Sequence, residues 1–231
     1  MTALKQYLSR RLTAWQAAAV MATLSVLAAL CFVAWNFIAA KMFEARVSAA
    51  LPIVCASVRE QRQTLLSAIT AYKAHYGFYP PDAVVNRQPL VVDAVRNPLL
   101  YELVGVIYNP TNKMFELGRL EAADAQYIKH FFHCDGFKNC AEHADQVQHF
   151  LPAFPTAAWR VAQLHDDPDV FALGFNMPDD EATLEIAEAF DVSSWCYVSS
   201  SPTNNPGKFD LWIELRTKHQ TITIGNWQTV E

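Results

Sequence analysis

From Leu12 to Ala40 the chain runs for 29 residues without a single Asp, Glu, Lys, Arg or His, and no other feature limits the fold as tightly. A helix needs roughly 20 apolar residues to cross the hydrocarbon core of a bilayer, and this stretch exceeds that. Trp15 and Trp35 are 20 positions apart, about 30 Å along a helix, which sets one indole near each membrane interface. The run therefore reads as a transmembrane helix over residues 12–40. A cleaved signal peptide is the competing reading, but its apolar region is normally ~7 to 15 residues, so a retained anchor is expected.

The flanks give the orientation. Residues 1–11 carry Lys5, Arg10 and Arg11 and no acid, whereas Lys41 and Arg46 beyond the span are diluted by Glu44. By the positive-inside rule the short N-terminus is cytoplasmic, and residues 41–231 lie on the other side of the membrane as the exported part of a single-pass protein. That part is long enough for one domain with a hydrophobic core. It holds all 23 acids against 15 of the 18 Lys and Arg, a formal charge of −8. Such a surface repels phosphate backbones, so no nucleic-acid partner is expected. Gly is scarce and no repeat or low-complexity tract occurs, which favours a compact fold over a linker or solenoid.

Cys31 lies within the span; Cys55, Cys134, Cys140 and Cys196 follow it. Gly136 can turn the chain between Cys134 and Cys140, which makes them the expected disulfide in an oxidising compartment, with other pairings open. His130, His133, Cys134, Cys140 and His143 are also a crowd of zinc-capable ligands, but they lack the C-x2-C regularity of zinc ribbons. The acidic runs Asp166-Asp167-Pro168-Asp169 and Pro178-Asp179-Asp180-Glu181 read as helix caps or solvated loops rather than as a cation site. No G-x-S-x-G, H-E-x-x-H, Walker or G-x-G-x-x-G pattern is present. Ser199-Ser200-Ser201 reads as a polar strand-to-loop transition. The expectation is no catalytic residue, no cofactor and no metal.

Residues 41–75 continue as helix, with Leu51, Val58, Leu65 and Tyr72 seven apart and Ile69 and Tyr76 between them. Arg59, Glu60, Arg62 and Lys73 are placed off this apolar stripe. Pro52 should kink or restart the helix, and Gly77 before Tyr79-Pro80-Pro81 should end it. Residues 91–103 show helical spacing at Leu99, Leu100 and Leu103. Val104–Tyr108 and Lys113–Leu117 then flank Asn109-Pro110-Thr111-Asn112 as a hairpin. Helical patterns dominate from Glu121 to Phe150, broken at Cys134–Cys140; residues 152–178 are ambiguous, and 180–190 read as a short helix. Ser194–Val198, Lys208–Leu215 and Gln220–Gly225 are strands of a terminal antiparallel sheet. Alternation puts Trp195 and Tyr197, and Phe209 with Leu211 and Ile213, on the face that the helix covers. Trp212 falls on the opposite face, either beneath the middle helices or exposed as a partner anchor.

The order of these parts resembles the type IV pilins and type II secretion pseudopilins. Ala71-Tyr72-Lys73-Ala74-His75-Tyr76-Gly77-Phe78-Tyr79-Pro80-Pro81 is similar to the "AYKxxxGxYPP" step at which those proteins leave the helix. Asn97–Gly105, Gly136–Cys140 with Phe150-Leu151-Pro152, Tyr197–Trp212 with its "NPGxYDLW" strand, and Ile224-Gly225-Asn226-Trp227 extend the likeness. A prepilin also carries a Gly before Phe-Thr-Leu-hydrophobic-Glu; Arg10-Arg11-Leu12-Thr13-Ala14-Trp15 offers neither that Gly nor a Glu in the span. The resemblance implies a pilin-like α+β fold, with a long helix packed on a C-terminal antiparallel sheet and a helical middle insertion. It implies partners among the subunits of a secretion or pilus-related assembly, reached from a bilayer anchor. The alternatives are a membrane-tethered periplasmic ligand-binding protein and a zinc-dependent enzyme.

Overall fold

A computed structural model describes residues 14–117, 123–151, 161–163, 171–175 and 189–228. The protein is α+β, and it divides into two units, one ending at Ala49 and the other beginning at Ala50. Helix α1 (Ala14–Tyr76) contributes to both. In the first unit every residue from Ala18 to Phe43 is exposed, including Leu24, Leu27, Leu30, Phe32, Trp35, Phe37 and Ile38. The helix is long and apolar enough to cross a membrane. Its polar side chains bond inward: Thr23 Oγ1 donates to Ala19 O (2.9 Å), Ser25 Oγ to Met21 O (2.9 Å) and Asn36 Nδ2 to Phe32 O (2.7 Å). Such back-bonding gives these polar groups a partner without water.

In the second unit the rest of α1 buries Val58, Leu65, Ile69 and Tyr72 of the stripe expected from the heptad spacing, together with Val54 and Ala68, whereas Leu51 and Tyr76 are half-buried. Arg62 departs from expectation: it lies on that stripe and is buried. Its spacing of four from Val58 and three to Leu65 places it there. No restart occurs at Pro52, which lies inside α1. Pro52 and Ser48 are both exposed, so the carbonyl deprived of its donor sits on a solvent-facing side. Gly77, at φ +85°, ends the helix, its N–H closing on Lys73 O at 2.8 Å.

After α1 come strands β1 (Ala83–Arg87) and β2 (Leu90–Asp93), the short helix α2 (Leu99–Val104), and the hairpin β3 (Val106–Asn109) and β4 (Met114–Glu116). Next are β5 (Ala123–Asp124), α3 (Ala125–Phe131), β6 (Cys140–Ala141), β7 (Val161–Gln163), β8 (Phe171–Leu173) and β9 (Asp191–Val192). β10 (Cys196–Val198), β11 (Asp210–Arg216) and β12 (Thr221–Gly225) complete the described elements. β10, β11 and β12 are antiparallel neighbours, with β9 also pairing β11. β3 pairs antiparallel with β4 and parallel with β6, in the order β5-β4-β3-β6. β1 with β2, and β7 with β8, form separate antiparallel pairs.

The three terminal strands and the β3–β4 hairpin agree with the alternation and turn signals. Trp195, Tyr197, Leu211, Ile213 and Leu215 are fully buried on one sheet face. Two expectations need correction. Residues 91–93 belong to β2, so the helix expected over 91–103 contracts to α2, whose six residues are all buried. Of the helical run expected over 121–150 only α3 and a short 3₁₀ turn (Ala144–Gln146) form among the described residues. α3 is capped by Asp124, whose carboxylate accepts from Tyr127 N–H at 2.8 Å, and β6 follows it as a strand. The acidic runs at 166–169 and 178–181, and most of the helix expected over 180–190, lie outside the described residues.

Candidate functional site

Three buried carboxylates organise the second unit, and all of them accept from N–H or O–H groups rather than from a cation. Asp82 follows Pro80-Pro81 at the exit from α1. Its Oδ2 accepts from Ser199 N–H, Ser200 N–H and Ser200 Oγ, each at 2.8 Å. Beside it Pro80 O accepts from Tyr197 Oη (2.9 Å) and Ser199 Oγ (2.8 Å). The serine hydroxyls are thus spent on holding β10 to the helix exit. No imidazole is among their partners.

Asp210 begins β11 and faces back over the preceding loop. Its Oδ2 accepts from Thr203 and Asn204 N–H, both at 2.8 Å, and its Oδ1 from Asn205 N–H at 2.9 Å. Asn205 Nδ2 donates on to Asn226 Oδ1 (2.9 Å), and Asn226 Nδ2 donates to Phe209 O (2.9 Å). The 199–208 loop and the turn after β12 therefore form one surface. Ser200, Ser201, Thr203, Asn204, Pro206 and Lys208 are exposed on it.

Glu102 is fully buried in α2. Its Oε1 accepts from Lys138 N–H (2.9 Å), and its Oε2 accepts from Asn139 N–H (3.0 Å) and Tyr72 Oη (2.8 Å). Burial pushes the Glu102 carboxyl above the usual range against these bonds, and burial with the nearby Glu102 charge pushes the Tyr72 phenol up. Asn139 completes the junction: its Nδ2 donates to Glu102 O (2.8 Å) and Gln148 O (2.6 Å), while its Oδ1 accepts from Tyr76 Oη (3.1 Å).

Trp212, expected on the face opposite the helix, is not fully in solvent. It is half-buried, with the Trp227 ring 5.9 Å away. Trp227 folds back over Gly225, where a Cβ would lie 2.5 Å from the ring, so any larger residue would push the indole aside. Arg62 Nη1 reaches the same residue and donates to Gly225 O, while its Nε has no acceptor among the described residues. Burial lowers the guanidinium pKa, with the Arg59 charge adding to the effect. A buried cation at a strand end was missed because Arg62 was assigned to the outer helix face.

Cys134 and Cys140, the pair expected as a disulfide, are both free, half-buried thiols in this structure. Each backbone is held by its own element. Cys134 N–H closes the end of α3 on Lys129 O (3.0 Å), and Cys140 pairs with Val106 in β6. Burial raises both thiol pKa values, and the Glu102 charge adds to it. His130 and His133 have ring centroids 6.3 Å apart, and His143 is exposed. Among the described residues no three His, Cys, Asp or Glu side chains gather as a metal site. The five zinc-capable residues are therefore not brought together. No protein-family model, characterised protein or solved structure matches this chain.

Proposed function

We propose that this protein is a membrane-anchored, pilin-like assembly factor that works by protein–protein association in a type II secretion or type IV pilus-related machine. Residues 12–40 hold it in the inner membrane with the N-terminus cytoplasmic, and the following domain meets its partners in the periplasm. One observation carries the reading: the segments that resemble pseudopilins contact one another. Tyr72 of the first segment meets Glu102 of the second, which meets Lys138 and Asn139 of the third, while Phe150 lies 5.2 Å from the Tyr72 ring. Pro80 and Asp82 meet the Tyr197–Trp212 segment, which meets Asn226.

The carboxylates are spent on fixed donors, so the exposed 199–208 loop is a rigid surface suited to recognition rather than to proton transfer. Purification of the full chain in mild detergent after in-cell cross-linking tests the proposal. Recovery of secretion-machine subunits supports it; a lone chain carrying a small molecule favours a tethered ligand-binding protein. Without the prepilin Gly and Glu, the chain keeps residues 1–11 or loses only Met1, which intact mass of membrane-extracted protein reads directly. A methylated start within residues 9–16 would make it a filament subunit, and a start beyond Ala40 would remove the anchor.

A further inference from the structure

β12 pairs with β11 on one side, and no described strand lies on the other. Thr217 N–H bonds Gln220 O and Asn226 N–H bonds Leu211 O, which sets the alternation along this ladder. Ile222 and Ile224 therefore turn their peptide groups toward β11, and Thr221, Thr223 and Gly225 turn theirs to the open edge. At that edge Gln228 acts as a plug. Its Oε1 accepts from Gly225 N–H (3.2 Å) and its Nε2 donates to Thr223 O (2.8 Å). The carboxamide thus offers one acceptor and one donor, as the backbone of a neighbouring strand would. Arg62 covers Gly225 O. Thr223 N–H and both backbone groups of Thr221 stay open among the described residues.

Thr221-Ile222-Thr223-Ile224-Gly225 contains no charge and no proline, and its register with β11 has no bulge. Those are the devices that usually guard an edge. The exposed Gln228 side chain stands in for them. The edge is also self-complementary. Two copies laid antiparallel, with Thr221 opposite Thr223 of the second copy, exchange about four backbone hydrogen bonds across a two-fold axis. No like charges meet there. That register needs Thr223 O, which Gln228 occupies.

We propose that the open edge of β12 is a strand-addition surface, closed by Gln228 and taken by β12 of a second copy when that side chain is gone. This holds whether or not the chain serves a secretion machine. The test is sedimentation of the full chain in detergent over a concentration series, comparing wild type with Gln228→Ala. The variant is expected to dimerise with a roughly tenfold higher association constant, with slowed amide exchange at Thr221 and Thr223. Adding Thr223→Pro, which deletes the central N–H, should return it to the wild-type value. A Gln228→Ala chain that associates no more than wild type overturns the proposal. So does extra association without protection at Thr221 and Thr223, because the contact then lies elsewhere.

Discussion

Asp210 draws in the N–H groups of Thr203, Asn204 and Asn205, five to seven residues away, whereas Glu102 draws in Lys138 and Asn139 from 36 and 37 residues away and the Tyr72 hydroxyl from 30. Both carboxylates are buried, and both are saturated by donors. They differ in what they join. Asp210 shapes one loop that would stay close to β11 in any case. Glu102 ties α1, α2 and the stretch before β6 into one body. A local clamp restrains a segment; a long-range clamp is part of the cooperative core.

Removing each carboxylate tests that contrast. Glu102→Ala strands two buried donors and the part-buried Lys138 N–H, and should cost roughly 3–5 kcal/mol in urea unfolding, lowering the whole transition. Asp210→Ala should cost roughly 2 kcal/mol, with amide exchange speeding up mainly at Thr203, Asn204 and Asn205. A larger loss for Asp210→Ala than for Glu102→Ala would invert the comparison.

Titration sharpens it further. Because burial raises the Glu102 pKa in the folded state, the folded protein holds that proton at a pH where the unfolded chain has lost it. Glu102 therefore makes stability fall as pH rises from the ordinary glutamate range to its raised folded value, and flat beyond it. Glu102→Gln should remove that component from a pH series of melts, and an unchanged slope would place the titration elsewhere. The smallest effect concerns the thiols beside Glu102. Denatured, unreduced protein should titrate five free cysteines; a count of three would show that Cys134 and Cys140 close after all. Cys140→Ser should change stability by about 1 kcal/mol or less.

Much of the fold was legible because its signals are short-range. The heptad-spaced stripe of α1 needs only helical geometry, the Gly77 stop needs only a positive φ, and the buried face of β10–β12 needs only alternation. The Asp210 clamp was not read from the sequence, although its donors sit in the turn just before it. The β1–β2 hairpin was missed because Val91 and Val92 suit a strand and a helix face equally well over so few residues.

What the sequence determined by itself was the apolar helix, the strand alternation and the charge balance, each set by side chains acting on their own neighbourhood. Only the tertiary structure decided that Arg62 would be buried against Gly225 and that Glu102 would gather Tyr72, Lys138 and Asn139. It also decided that Cys134 and Cys140 would each be a free, half-buried thiol and that Gln228 would plug β12. The physical reason is the same in each case. Burial turns an unmet hydrogen-bonding group into a large penalty, and which distant group meets it depends on how the elements pack, which no local pattern encodes.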